Sequence, residues 1–396
     1  MTAFDAIVIG AGPAGSTAAL LLARAGWSVA IVEKAQFPRR KVCGEFISAG
    51  ALSLLARTGA GERVLAQGGP EVREVGVYAG RHMALAPMPQ ADSTVLYGRA
   101  IGRDRLDATL LEAARQAGAS VYQPWRVESC WKDAELHLCT IATVRNDSQV
   151  LIAPIVIAAH GSWDTGRLEL PGVPERALPS DLLAFKARFT RTALPAGRMP
   201  LIAFPGGYGG LVHSDGGRVS FSCCIRRDAL SACRGASPGV SAGAAVLTHA
   251  MKSCRGLREA LEGAVCEEQW LAAGPLRPGF RGLREDGYFA VGNAFGEAHP
   301  IVAEGITMAV QSAWLLCERL IAAPSAAASR PAIARGYEAA YRSHFAMRMR
   351  AAALFAALAM RPWCATAAGG MLAALPGAIA FGARCAGKAR ALNASA

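Results

Sequence analysis

The chain has 396 residues, 52% hydrophobic and 18% charged, with a formal net charge of +12. That length holds roughly two to three domain-sized units with a large core, which excludes a small stapled scaffold or a disordered tail. No basic stripe interleaved with aromatics is present, so nucleic acid is excluded as a partner, while a basic surface favours anionic ligands.

Taken in chain order, the first apolar run, Ile7 to Ile9, ends at Gly10-Ala11-Gly12-Pro13-Ala14-Gly15. The Ala/Leu-rich stretch Ser16 to Ala25 follows, then Val29 to Val32, closed by Glu33. Strand, glycine turn, helix, strand and acid in that order make a dinucleotide site. Gly10 allows the tight turn, Gly12 lets the backbone approach a pyrophosphate, and Gly15 lets helix and strand pack closely. The helix N-terminus turns free N–H groups and a positive dipole end to the phosphates. Glu33 stands where an acid accepts the hydroxyls of an adenosine ribose. Because the strand starts at once, with Asp5 beside it and no basic leader, a cytoplasmic chain is expected. The 11 cysteines form no CxxC pair, which predicts a reduced chain with no structural metal.

A polar loop follows from Phe37 to Phe46, holding the cluster Arg39, Arg40 and Lys41. Residues 49–58 read as a helix and 71–97 as strands. Leu106 to Ala117 is amphipathic, with Leu106, Leu110, Leu111 and Ala114 on one face, and stops at Gly118. Strands are predicted over 119–130, 135–144 and 150–159. Residues 182–275 hold several β-like runs and one helical stretch near 241–262. Tyr288 to Val291 is a short strand, followed by a small-residue turn, a loop, and a helix start near Gly305 and Ile306. Helices are predicted over 306–320 and 333–350. Within the tail, residues 351–360 and 364–383 are two apolar, alanine-rich runs split by Arg361 and Pro362. The second has transmembrane length, but Gly369, Gly370, Pro376 and Gly377 weaken insertion. Helices packed on the FAD domain, an element facing a membrane surface or lipid substrate, and a true span all remain open. Arg348, Arg350 and Arg384 suit contact with an anionic membrane through 351–383.

The glycine turn, the loop Lys41-Val42-Cys43-Gly44-Glu45, the run Phe204-Pro205-Gly206-Gly207-Tyr208-Gly209-Gly210 and the segment Gly296-Glu297-Ala298-His299-Pro300 carry a resemblance. They resemble motifs of the FAD-dependent oxidoreductases of the p-hydroxybenzoate hydroxylase-like fold, nearest to its geranylgeranyl reductase-like branch, over residues 1–345. The resemblance implies an α/β fold with an α+β second domain. A Rossmann-like FAD-binding domain would come from 1–70, 98–165 and 276–345. A substrate-binding β-sheet domain would come from 71–97 and 166–275, and a C-terminal apolar helical segment from 346–396.

The implied FAD ligands are Gly10, Gly12, Pro13, Ala14, Gly15, Glu33, Lys34, Arg40, Lys41, Cys43, Arg103, Gly292, Asn293, Pro300, Gly305 and Ile306. Three positions depart from the family pattern: Asn293 replaces an aspartate, Ala303 a glycine, and His160 an aspartate linked to FAD and nicotinamide contact. Cys43, beside Lys41 and Arg40, is a candidate catalytic thiolate. His299 is a candidate proton shuttle, or else a loop histidine held by a carbonyl. Tyr208 and Phe204 are the candidate substrate contacts, while Trp163, Phe221 and Trp270 read as core. No metal is implied.

The reaction the resemblance implies is an NAD(P)H-using monooxygenation of an apolar, aromatic or polyketide-like small molecule in a biosynthetic pathway. NADH or NADPH would bind transiently. The alternative is an ene-reductase saturating carbon–carbon double bonds of an isoprenoid or lipid, with His299 or Cys43 completing the addition. A non-catalytic flavoprotein is a third class. A halogenase is disfavoured because no WxWxIP-like run is found. Oligomeric state is left open.

Overall fold

The computed structural model describes every residue except 163–176, 268, 283–286, 324, 327, 389–391 and 393–396. Its centre is a parallel sheet built by the predicted unit β1 (Ala6–Ile9), α1 (Pro13–Arg24) and β2 (Val29–Val32). All twelve strand residues of β1, β2 and the later β9 are buried, as strands covered on both faces must be. A Cβ on Gly15 would fall 1.8 Å from the Gly10 carbonyl oxygen, and Gly10 itself has φ +103°. The glycines are therefore required by the turn itself.

After α2 (Ala49–Arg57) the chain crosses to a second sheet for the hairpin β3 (Glu74–Ala79) and β4 (His82–Pro87). It returns for α3 (Arg103–Gln116) and β5 (Ser120–Tyr122). Next come β6 (Arg126–Asp133), β7 (Leu136–Ala142) and β8 (Ser148–Ala153), which form an antiparallel flap closed by Thr2–Ala3. Strand β9 (Ile155–Ala158) then enters the parallel sheet beside β1. The predicted single strand 150–159 is thus two strands in two sheets. Pro154 separates them, and a residue without an N–H cannot continue a ladder.

The second sheet resumes with β10 (Leu182–Thr190), β11 (Arg198–Phe204), β12 (Gly207–His213) and β13 (Val219–Arg226). Three helices cover its outer face: α4 (Arg227–Gly235), α5 (Ala242–Ser253) and α6 (Arg255–Ala260). Only one helical stretch was expected there; α4 offers just Leu230 and Cys233 as buried residues, too few to show a period. Strand β14 (Leu271–Leu276) pairs with β10. The eight-stranded order runs Val265–Cys266, β10, β13, β12, β11, β3, β4, with β14 off that path. β11 and β3 pair in parallel.

Strand β15 (Phe289–Ala290) completes the five-stranded parallel sheet in the order β15, β9, β1, β2, β5. Helix α7 (Gly305–Ala322) packs beside α1 in the main core. Helix α8 (Arg330–Ala359) runs straight through the expected boundary at 345/346. Its buried residues Tyr337, Tyr341, Phe345, Arg348, Ala352 and Ala356 recur every three or four positions, one continuous stripe. Helices α9 (Pro362–Ala374) and α10 (Pro376–Cys385) then lie on β3 and β4.

One expectation is corrected. Cys130 and Cys139 are joined by a disulfide, so the chain is not wholly reduced. They are nine residues apart yet directly opposite across β6 and β7, a pairing that register creates. The expected core residues Phe221 and Trp270 pack edge to face in the second core, while Trp163 lies outside the described residues.

Candidate active site

A cavity opens between the parallel-sheet domain and the inner face of the second sheet. Its floor is the glycine turn, Gly12 to Ala14, with the loop Lys41 to Phe46 and Arg103 at one side. Its roof is Ala184, Met199, Leu201, Tyr208 and Leu211. Gly292, Asn293, Pro300, Gly305 and Ile306 close the far side. Alternation sets the roof. In β11, Met199 and Leu201 face inward, whereas Ile202 and Phe204 join the outer core, because successive strand residues take opposite faces.

Phe204 is therefore not a cavity residue; it meets His249 edge-on at 6.0 Å in that outer core. Tyr208 does line the cavity and is 1% exposed. Its hydroxyl stands 3.4 Å from Nδ1 of His299. Burial pushes the Tyr208 phenol well above its usual range and lowers the His299 imidazole. At neutral pH the phenol is protonated and the imidazole neutral, and the His299 tautomer decides which of the two donates.

Cys43 lines the cavity, accepts the Glu45 N–H at 3.4 Å, and lies within reach of Arg103. Lys41 is pulled down to about 8, first by burial, then by the guanidinium groups of Arg103 and Arg39. Arg103 is buried and doubly bonded to Asp107 at 2.7 and 2.8 Å. Asn293 donates to Ser162 Oγ at 2.8 Å and to Glu297 Oε1 at 3.1 Å. His160 sits with Nδ1 3.1 Å from the Gly161 carbonyl.

Five implied ligands do not line the cavity: Gly10, Gly15, Glu33, Lys34 and Arg40. Lys34 is exposed, since the buried strand ends at Val32. Arg40 reaches out to the Gln269 carbonyl at 3.2 Å. Glu33 acts on the turn itself: its carboxylate accepts from Ala11 N–H and Ala35 N–H, both at 2.9 Å.

The strongest unforeseen feature is Glu45. It is fully buried, has φ +63°, and lines the cavity. Its Oε1 takes Lys186, Arg188 at 2.8 Å and the Arg103 N–H at 3.3 Å. Those cations hold the Glu45 carboxyl below its usual range against the opposing effect of burial. Its Oε2 is buried with no hydrogen-bond partner. In β10, Ala184, Lys186 and Arg188 share the inner face while Phe185, Ala187 and Phe189 belong to the outer core. Two cations alternating with aromatics inside one strand was the signal available in the sequence.

These residues fit FAD. The N-cap Gly12 has no side-chain cap, leaving the α1 N–H groups for a diphosphate, with Arg103 and Lys41 beside them. A Cβ on Gly305 would meet nothing within 4 Å, so the first turn of α7 is open to a ring. The orphan Oε2 of Glu45 needs a donor, and the hydroxyls of a bound FAD would offer one. Ala303 has φ +50°, the left-handed conformation that makes glycine the usual choice there.

Residues 3–190 match the family model described as an FAD binding domain. Menaquinone reductase of Mycobacterium tuberculosis is 29% identical over 167 residues, 41% of this chain and 39% of that protein; the chain thus aligns with well under half the length of that relative. The myxobacterial chondrochloren halogenase, an FAD-dependent enzyme, superposes with TM-score 0.73 at 22% identity, covering 86% of this chain and 80% of that one. A probable FAD-dependent monooxygenase from Pseudomonas aeruginosa gives TM-score 0.73 at 18% identity, covering 92% and 99%.

Proposed function

We propose, for a chain whose residues 3–190 match an FAD binding domain, that it oxygenates an apolar, aromatic small molecule at the expense of NADH or NADPH. The observation that carries this reading is the continuity of the cavity. One space runs from the uncapped α1 turn to an apolar roof of Met199, Leu201 and Leu211, with Tyr208 in its wall and His299, which does not itself line the space, 3.4 Å behind the Tyr208 hydroxyl.

FAD, when bound, supplies two-electron reduction and the means to pass those electrons to oxygen. The chain does the rest. Gly12 to Ala14 and Arg103 hold the diphosphate end. Glu45 orients a donor. The roof excludes water, which protects reactive species from hydrolysis. Tyr208 keeps a proton at its oxygen, and His299 beside it can hold or release one at its ring.

Likeness to a menaquinone reductase favours a second reading, reduction of a carbon–carbon double bond, in which the same pair would supply the proton. The test is product mass. Purified protein, both nicotinamide donors and a panel of phenols, polyketide-like aromatics and prenyl quinones are incubated with and without air. One added oxygen that disappears without air supports oxygenation. Two added hydrogens that persist without air replace it with reduction.

A further inference from the structure

The outer face of the tail is apolar and unpartnered. Leu354, Leu358, Trp363, Met371, Leu375 and Phe381 are all exposed, Trp363 by 75% and Phe381 by 68%. These helices are already anchored without that face. Ala352, Ala356, Ala365, Gly369, Ile379 and Ala383 form the buried side, and a Cβ on Gly369 would press Ala79 and His82 at 3.2 Å. Folding thus does not require the outer residues to be large or apolar, and a contiguous patch of this kind marks an interaction surface.

Charge says what covers it. None of the 30 acidic residues falls after Glu338, whereas seven of the 42 lysines and arginines do. Arg350, Arg361 and Arg384 are exposed on the same three helices. A basic surface interleaved with aromatic and aliphatic side chains, and lacking any acid, complements anionic headgroups over acyl chains. A second copy of the chain would set like charges against each other.

We propose that α8 to α10 dock face-on to an anionic phospholipid bilayer. The segment lies on the membrane instead of crossing it. No single helix among the described residues is long and apolar enough to span; α8 and α9 together have the length and composition of a bent span, but they meet at 109°. The 13 residues of α9 measure about 20 Å at 1.5 Å per residue, against a hydrocarbon core of about 30 Å. The docked face lies beside the cavity. Ile379 and Ala383 pack in one cluster with Met199 and Ala303, both of which line it. Membrane contact therefore sets the cavity within about one helix diameter of the lipid phase, roughly 10 Å.

The test is flotation of the full chain with vesicles of phosphatidylcholine alone, or of phosphatidylcholine mixed equally with phosphatidylglycerol. We expect co-flotation with the mixed vesicles on the order of 100-fold stronger than with phosphatidylcholine, three exposed arginines each contributing about 1 kcal/mol, and weakened by salt. The double variant Trp363→Ser, Phe381→Ser should lose binding with an unchanged melting temperature. Arg350→Glu with Arg384→Glu should lose the preference for anionic lipid while the apolar face stays intact. Folded protein that stays at the bottom of the gradient with both vesicle types overturns the proposal. So does a dimer in solution that the double variant converts to monomer. Neither readout uses turnover, so the result is independent of the reaction assigned to the cavity.

Discussion

Glu45 and Glu304 invite comparison, because each is a buried carboxylate set between two cations drawn from distant parts of the chain. Glu45 joins the cofactor domain to the second sheet through Lys186 and Arg188. Glu304 joins the start of α7 to the tail, through Lys388 at 2.8 Å and Arg348 at 3.6 Å. Glu45 lines the cavity and keeps one oxygen without a partner. Glu304 does not line it; Lys388 also donates to the Val302 carbonyl at 2.7 Å, closing the loop between two cavity residues, Ile301 and Ala303. The same charge arrangement thus stands once at the cavity wall, with one carboxylate oxygen hydrogen-bonded and the other not, and once as a latch held by ion pairs, with neither Glu304 oxygen hydrogen-bonded.

Removing each carboxylate tests that difference most severely. Glu45→Ala strands Lys186 in the interior, while Arg188 keeps Asp104, and chemical denaturation should show a loss of about 3–5 kcal/mol. Glu304→Ala should cost less, about 1.5–3 kcal/mol, because Arg348 keeps Gln311 at 2.9 Å and Lys388 keeps Val302. Equal losses would break the comparison.

Flavin titration sharpens it. Glu45→Gln should raise the Kd for FAD about tenfold, the equivalent of about 1.4 kcal/mol, whereas Glu304→Gln should leave it unchanged. Lys41 then gives a pH signature. Its ammonium, at about 8, is lowered by burial and by Arg103 and Arg39. Without ligand the unfolded chain holds that proton to higher pH than the folded one, so stability rises between pH 8 and the usual lysine range. Flavin affinity runs the other way, weakening severalfold as pH climbs through about 8 and the cation is lost. Lys41→Arg should abolish that step in a fluorescence titration. The smallest effect belongs to the latch loop: Ala303→Gly, relieving φ +50°, should stabilise by about 0.5–1 kcal/mol in thermal melts.

Much of the parallel-sheet domain was legible because it is local. One strand, turn, helix and strand occupy residues 6–32, and the glycine spacing has a single steric explanation. Asn293, Pro300, Gly305 and Ile306 could be placed because a second small-residue turn marks them; the structure gathers all four around the cavity. What was not legible depends on pairing at long range. Cys130 and Cys139 are ordinary cysteines until β6 and β7 set their register. Phe204 looked like a pocket aromatic because its run is glycine-rich, and only strand parity assigns it to the outer core. Glu45 stands in a motif without being singled out, since its two cationic partners, Lys186 and Arg188, lie more than 140 residues away. The tail's Lys388 could not be linked to Glu304 by any local pattern.

The second sheet is threaded late. β3 and β4 lie near residue 80, while their neighbour β11 begins at Arg198 and pairs with β3 in parallel. At a synthesis rate of about 5–20 residues per second, the hairpin waits roughly 6–25 s on a growing chain before its partner is made. Its outer strand finally receives α9 and α10 only when the last tenth of the protein emerges. No contiguous fragment holds either domain, and a premature stop in the tail would leave the apolar face of β3 and β4, with Val75, Val77, Ala84 and Ala86, uncovered and open to association with other chains.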